Sequence, residues 1–335
     1  LWSEGWLPAS RNRGWTYRDR ILAAEAGLTV SAFYAARHRH SDRTVWRRRL
    51  EAGEIERNGC LLLDDQTLVA GDRLTWHRPP WEEGAVPARW AVVHDDGDLL
   101  VIDKPSGLPV LPAGGWLEHT VLRLLEHRHA DDPAGVPRPV HRLGRFTSGL
   151  LVCARRPASR AWLSARLRES TAALEGGGSA AAEAACRKVY RALLEPGVLP
   201  LAPGESREIE VPIGRRPHPR LGRIWCAGRA GCPDDLPARS TLTLLERHPA
   251  ADLVAVAISS GRPHQIRIHC AALGAPLLGD PLYARGGGAR GEALPGEGGY
   301  RLQAWRLELR QPDGAHLRLQ LSRPLEIPPP LAIPR

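Results

Sequence analysis

The apolar positions of this chain change period several times, and each change marks a different kind of element. Ile21, Leu22 and Ala26 fall within Arg18–Ala26, Gly27 is a natural stop, and together they predict a short helix. Ser41 is placed to cap a second helix that carries Val45, Trp46 and Leu50 on one face and ends at Gly53. Two β-type runs, beginning at Trp90 and at Leu99, flank an Asp-Asp-Gly-Asp turn and predict a hairpin. Val121, Leu122, Leu124 and Leu125 predict a helix, and Pro157 opens another with Trp162, Leu163 and Leu167 inward. An Ala/Gly-rich stretch at 171–185 reads as a mobile insertion. Strand-like runs follow at 188–195, 207–212, 240–246, 253–259, 301–309 and 316–321. Between them, 214–237 holds Arg215, Arg216, Arg220, Arg223 and Arg229 and reads as an exposed basic loop.

Composition narrows the classes open to such a chain. With 335 residues and 43% hydrophobic content, it can bury a substantial core in one large domain, or in one of ordinary size with a small appendage. The Pro-rich stretch 78–89 reads as a linker, which divides the chain into 1–77 and 90–335. The net charge of +9 favours a polyanionic partner, of which nucleic acid is the commonest. Lys104 and Lys188 are the only lysines, and a GC-rich coding bias explains most of that choice of Arg, though not the excess of charge. The six cysteines form no CxxC pair and no secretory segment opens the chain, so the expected setting is cytoplasmic. No apolar run approaches ~18 residues, so no membrane span is expected. His38 and His40, and likewise His127 and His129, are spaced too closely for helical ligand pairs, so no metal site is expected.

Five stretches carry the chemistry. They are Val101-Ile-Asp-Lys-Pro-Ser-Gly-Leu-Pro-Val110, Pro139-Val-His-Arg-Leu-Gly-Arg-Phe-Thr-Ser-Gly-Leu-Leu-Val152, Arg187-Lys-Val-Tyr-Arg-Ala192, Ser260-Gly-Arg-Pro-His-Gln-Ile-Arg-Ile-His269 and Gly274-Ala-Pro-Leu-Leu-Gly-Asp-Pro-Leu-Tyr283. In this order they closely resemble the motifs of the RNA pseudouridine synthases of the RluA family, over roughly 90–325. Near the N-terminus, an Arg-rich helix precedes Gly53-x-Ile55-x-x-Asn58-Gly59 and then Gly71-Asp72-x-Leu74. That pattern resembles the small S4-type RNA-binding module, over about 15–77. Arg47, Arg48 and Arg49 are its candidate RNA contacts, although a charge run is commonly only a solvated helix face.

The resemblance implies an α+β fold with a mostly antiparallel mixed sheet around a basic cleft, plus a small α+β N-terminal domain. It implies that the chain isomerises uridine to pseudouridine in structured ribosomal or transfer RNA, flipping the base out to reach its glycosidic bond. No cofactor is expected, because the isomerisation is redox-neutral, and a monomer is expected. Arg142 matches the residue that fills the vacated stack, and Tyr190 the tyrosine that packs on the uracil and helps move the C5 proton. Gln265 orients the neighbouring loop, Phe146 is expected to wall the pocket, and Arg145 and Thr147 join the substrate-binding residues. Arg267 matches the arginine that pairs with the family's catalytic aspartate. That aspartate's own position is Gly144, which supplies neither nucleophile nor charge. Arg267 is therefore expected to meet another carboxylate, with Asp103 and Asp280 as candidates, or an RNA phosphate, or to lie in a wetter pocket, and Gly144→Asp is expected to restore the lost group. The alternative reading is a catalytically silent RNA-binding or RNA-folding factor that keeps the cleft without the reaction.

Overall fold

The computed structural model describes residues 5–175, 186–294, 296–311 and 315–327. It divides into two compact units, Ala9–Gly84 with Pro217–Gly222, and Leu1–Pro8, Ala85–Arg216 and Arg223–Arg335. Among the described residues no helix is long and apolar enough to cross a membrane.

The smaller unit holds a four-stranded sheet, ordered β1-β4-β2-β3, with two helices. Its strands are β1 (Trp15–Arg20), β2 (Ile55–Arg57), β3 (Cys60–Leu61) and β4 (Arg73–Arg78). The helix expected over Arg18–Ala26 is instead the end of β1 followed by a single 3-10 turn, Ala23–Glu25. Antiparallel pairing of β1 along all of β4, from Trp15↔Arg78 to Arg20↔Arg73, overrides the local pattern. Helix α1 (Val30–Arg37), capped by Thr29, was not foreseen. Helix α2 (Arg43–Glu51) is capped by Asp42, whose carboxylate accepts from Val45 N–H at 2.9 Å, rather than by Ser41. Trp46, Trp76, Tyr34 and Leu50 form the core between helices and sheet. Asn58 and Gly59 take positive φ in the β2–β3 turn, and Asn58 bonds Asp72 and Arg73 N–H, both at 2.9 Å. The two turn motifs of this region are thus clasped together. The unit also takes in part of the stretch read as a linker, since Asn12 bonds Trp81 N–H and Glu83.

The larger unit is built on a ten-stranded sheet. Its strands are β5 (Ala91–Asp95), β6 (Leu99–Lys104), β7 (Arg138–Pro139), β8 (Thr147–Ala154), β9 (Cys186–Leu194), β10 (Ser206–Ile209), β13 (Ser240–His248), β14 (Ala251–Ile258), β15 (Leu302–Arg310) and β16 (His316–Gln320). The order is β10-β13-β14-β9-β15-β8-β6-β5, with β16 beside β15 and β7 beside β8. The pairings are antiparallel except β15 with β8, which run parallel. The sheet is therefore mixed but mostly antiparallel, and the fold class is α+β. Strands β6 and β8 are buried along their whole length, because α3 (Val121–Arg128) and α4 (Pro157–Glu175) belong to the core on this half. A second core cluster lies around β9, β13, β14 and α5 (Gln265–Ala272). Helix α4 runs further than expected, into the stretch read as an insertion, and 176–185 lie outside the described residues. The expected basic loop at 214–237 contains a hairpin, β11 (Ile213–His218) and β12 (Gly222–Ala227). Arg216 there is paired with the buried Asp235 rather than free in solvent.

Candidate active site

The site forms where the two halves of the large sheet meet, at the parallel pair β15–β8. Ala304 lies opposite Gly149 on one side and Tyr190 on the other, and Tyr190 lies opposite Val256. Gly149 has φ +103°, and a Cβ there would run into the backbone of Ala304, so only glycine lets β15 approach β8 this closely. Tyr190 packs against both hydrophobic clusters. Above this row opens a cleft of about 500 Å³.

The cleft gathers the signature segment, strand β9 and the loop leading into α5. Arg142, Gly144, Thr147, Lys188, Tyr190, Gln265, Arg267 and Tyr300 all line it. Its apolar wall is Leu143, Leu150, Leu167, Ile258, Leu302 and Leu307, a surface suited to a flat base. Arg168, Arg262 and Arg306 add positive charge, and among the described residues no Asp or Glu lines it. Such a pocket favours an anionic ligand, and among the described residues it supplies no carboxylate nucleophile.

Side chains below the cleft hold the loops in place. The fully buried Lys104 donates to the carbonyls of Pro105 and Leu108 at 2.8 Å and of Arg145 at 3.0 Å, tying the Lys-Pro-Ser-Gly loop to the signature loop. Gln265 accepts from Ser260 Oγ at 2.7 Å and Arg262 N–H at 3.1 Å, and donates to Arg239 O and Ser240 Oγ at 2.9 Å. It thereby fixes the turn before α5. His141 accepts from Val152 N–H at 3.0 Å, and burial pushes its pKa down to about 4, so it is a neutral structural group. His264 precedes α5 in the left-handed region, φ +57°, which is uncommon for a residue with a side chain. Burial, and after it the Arg267 charge, lowers the His264 pKa to about 4.

Arg267 is not left without a partner. Its Nε and Nη2 donate to the two oxygens of Asp280, both at 2.7 Å. Asp280 also accepts from Leu282 and Tyr283 N–H, and its side chain has no exposed surface. Burial works against the guanidinium charge, but Asp280 outweighs it and the pKa of Arg267 is raised. Asp280 therefore answers the charge of Arg267 without lining the cleft. Asp103 is also elsewhere, clamped by Arg323 at 2.9 and 3.1 Å beside a smaller cavity of about 160 Å³. Phe146 lines that smaller cavity and not the main cleft. Arg145 lies over Trp116, 3.8 Å from the ring centroid, and donates to Gly107 O, also outside the main cleft. In the smaller unit, Arg47 and Arg48 are exposed, whereas Arg49 stacks on Trp46 and Trp76 at 4.3 and 4.8 Å and covers the core.

Sequence reasoning missed Tyr300. It lies just before β15 and lines both cavities. Its hydroxyl is 3.4 Å from Thr147 Oγ1, its ring meets Phe146 edge-on, and the Arg267 guanidinium lies 4.1 Å from the ring centroid. An ideal Cβ on Gly144 would sit 2.5 Å from that hydroxyl. Gly144→Asp therefore requires the Tyr300 hydroxyl to shift, because that hydroxyl stands where the new Cβ would lie. Burial pushes the Tyr190 hydroxyl up to about 12 and lowers the Lys188 pKa.

The RNA pseudouridylate synthase family model matches residues 98–272. An uncharacterized RNA pseudouridine synthase of Synechocystis sp. is 40% identical, over 90% of this chain and 95% of its own length. RNA pseudouridine synthase 5 of Arabidopsis thaliana is 35% identical, over 94% and 93%. Ribosomal large subunit pseudouridine synthase D of Nitrosomonas europaea is 33% identical, over 70% of this chain and 61% of its own.

Proposed function

Since the chain belongs to the RNA pseudouridylate synthase family and isomerises uridine to pseudouridine in RNA, we propose that it acts on a uridine flipped out of structured ribosomal or transfer RNA into the cleft around Gly144. The observation that carries this reading is the meeting of Arg142, Tyr190 and Arg267 around Gly144 in one cationic, apolar-walled cleft. Arg142 is exposed at the signature loop and has the reach to fill the stack vacated by the base. Tyr190, neutral at physiological pH, packs on the uracil and relays the C5 proton. Arg168, Arg262 and Arg306 meet the flanking phosphates. The smaller unit is an S4-like RNA-binding module, with Arg47 and Arg48 as its phosphate contacts. The protein works as a cytoplasmic monomer and needs no cofactor, because the reaction is redox-neutral.

The test is RNA from a strain that lacks the gene. One or more pseudouridines should be missing and should return when the purified wild-type chain is added. If no site is lost in the deletion strain and none is gained in vitro, the enzyme reading fails and a silent RNA-binding role replaces it. Arg47→Gln with Arg48→Gln should weaken binding of the same RNA and lower the slope of log affinity against log salt by about 1–2. An unchanged slope removes the S4-like assignment.

A further inference from the structure

A side chain at 144 is crowded by neighbouring side chains and not by the backbone. Gly144 is not among the positive-φ residues, so any residue could adopt its conformation. What it lacks is room, because a Cβ would lie 2.5 Å from Tyr300 Oη and 3.2 Å from Thr147 Oγ1. The Tyr300 hydroxyl therefore stands at the root of the position from which the family's aspartate would reach the substrate. We propose that Tyr300 is the oxygen nucleophile of this enzyme, its hydroxyl replacing the carboxylate absent at 144. The proposal rests on the functional reading above, that uridine is isomerised in this cleft.

Three features fit Tyr300 to that role. Its ring is held by Phe146 and is 4% exposed, so the hydroxyl is presented at a fixed place on the cleft wall. The Arg267 cation lies over the ring face at 4.1 Å, which fixes the ring on that side. Asp280 takes Nε and Nη2 of Arg267 and so holds that guanidinium on the ring while leaving Nη1 outside the pair. The other hydroxyls of the cleft fit less well. Ser164 donates to Val140 O at 3.2 Å, Thr147 Oγ1 lies farther than Tyr300 Oη from a Cβ on 144, at 3.2 Å against 2.5 Å, and the pKa of Tyr190 is pushed up to about 12.

The chemistry balances with no added reagent. Tyr300 Oη forms a bond to C1′ as the C1′–N1 bond breaks, and that electron pair leaves on the uracil ring. The phenol proton passes to the departing base and becomes its N1–H. The uracil turns, C5 attacks C1′, and the C1′–Oη pair returns to the tyrosine. The C5 proton is then relayed by Tyr190 to the phenolate, giving pseudouridine and the starting phenol. Phenols serve as glycosyl nucleophiles in other enzymes, which makes the step chemically reasonable.

The experiment compares wild type, Tyr300→Phe and Tyr300→Phe with Gly144→Asp on RNA from the deletion strain. Tyr300→Phe keeps the ring on Phe146 and Arg267 and removes only the hydroxyl. It should lower kcat by ~10²-fold or more while the affinity for RNA stays within about 2-fold. The double variant, in which the colliding hydroxyl is gone and a carboxylate faces the cleft, should regain conversion. Replacing Tyr300 by a fluorinated tyrosine of lower phenol pKa should move the rising limb of the pH–rate profile to lower pH. Conversion by Tyr300→Phe within 3-fold of wild type would overturn the proposal. So would an unmoved pH limb in the fluorinated enzyme, which would reduce Tyr300 to packing. Wild type that converts no site in any RNA of the deletion strain would instead sink the functional reading on which the proposal stands.

Discussion

Single residues decide the character of this site more than any element does. The Arg267–Asp280 pair is buried and bidentate, so removing one partner leaves an uncompensated charge. Asp280→Asn should cost about 3–5 kcal/mol in urea denaturation, whereas Arg145→Gln, outside the main cleft, should leave conversion rates near wild type. A stable Asp280→Asn variant would show that Arg267 is wetter than the structure implies. Tyr190→Phe should reduce conversion by ~10²–10⁴ without loss of RNA binding, measured by kcat and Kd on the same RNA. Arg142, Tyr190 and Arg267, which line the cleft, were legible as candidates because each lies within a motif of fixed spacing. Tyr300 was not, because its only relation to Gly144 is spatial and no local pattern surrounds it.

At the scale of elements, glycine and pairing partners set the geometry. Gly149 sits at the crossing of β8 with β15, where the backbone of Ala304 leaves no space for Cβ. Gly149→Ala should therefore destabilise by more than the ~1–2 kcal/mol of a left-handed non-glycine residue alone, and should remove activity together with stability. Circular dichroism melts and conversion assays read both effects, and a near-neutral outcome would mean that β15 can shift away. The β5–β6 hairpin and helices α3 and α4 were readable from periodicity, as were β9, β10 and the strands from β13 onward. The stretch after Tyr17 was not, because its pairing partner β4 lies far along the chain and wins over a weak local helical signal. The hairpin β11–β12 was hidden in the same way, since its arginines disguise an alternation anchored by Ile213, Ile224 and Cys226 in a separate cluster.

For the whole molecule, neutral histidines, His269 buried and His38, His141 and His264 half-buried, set a pH limit. Burial lowers His38, His141, His264 and His269 from an ordinary 6.5 to about 4. Between these values the unfolded chain takes up protons that the folded chain does not, so stability rises with pH there and is lost on acidification from 6.5 toward 4. Asp235, held to about 2 by Arg216, extends the loss below 3.8. Thermal melts should show a falling Tm over this window, and a flat Tm would place these histidines in contact with water.

The sequence by itself determined the order and spacing of the motifs and, through the resemblance they carry, the family, the α+β class and a basic cleft. Tertiary structure decided what stands where the aspartate is missing. Asp280 and Tyr300 reach Arg267 only because α5, the turn after it and the approach to β15 pack together. Fixed spacing along the chain identifies a motif, but which groups share a few ångströms of buried space depends on how distant segments close over one another.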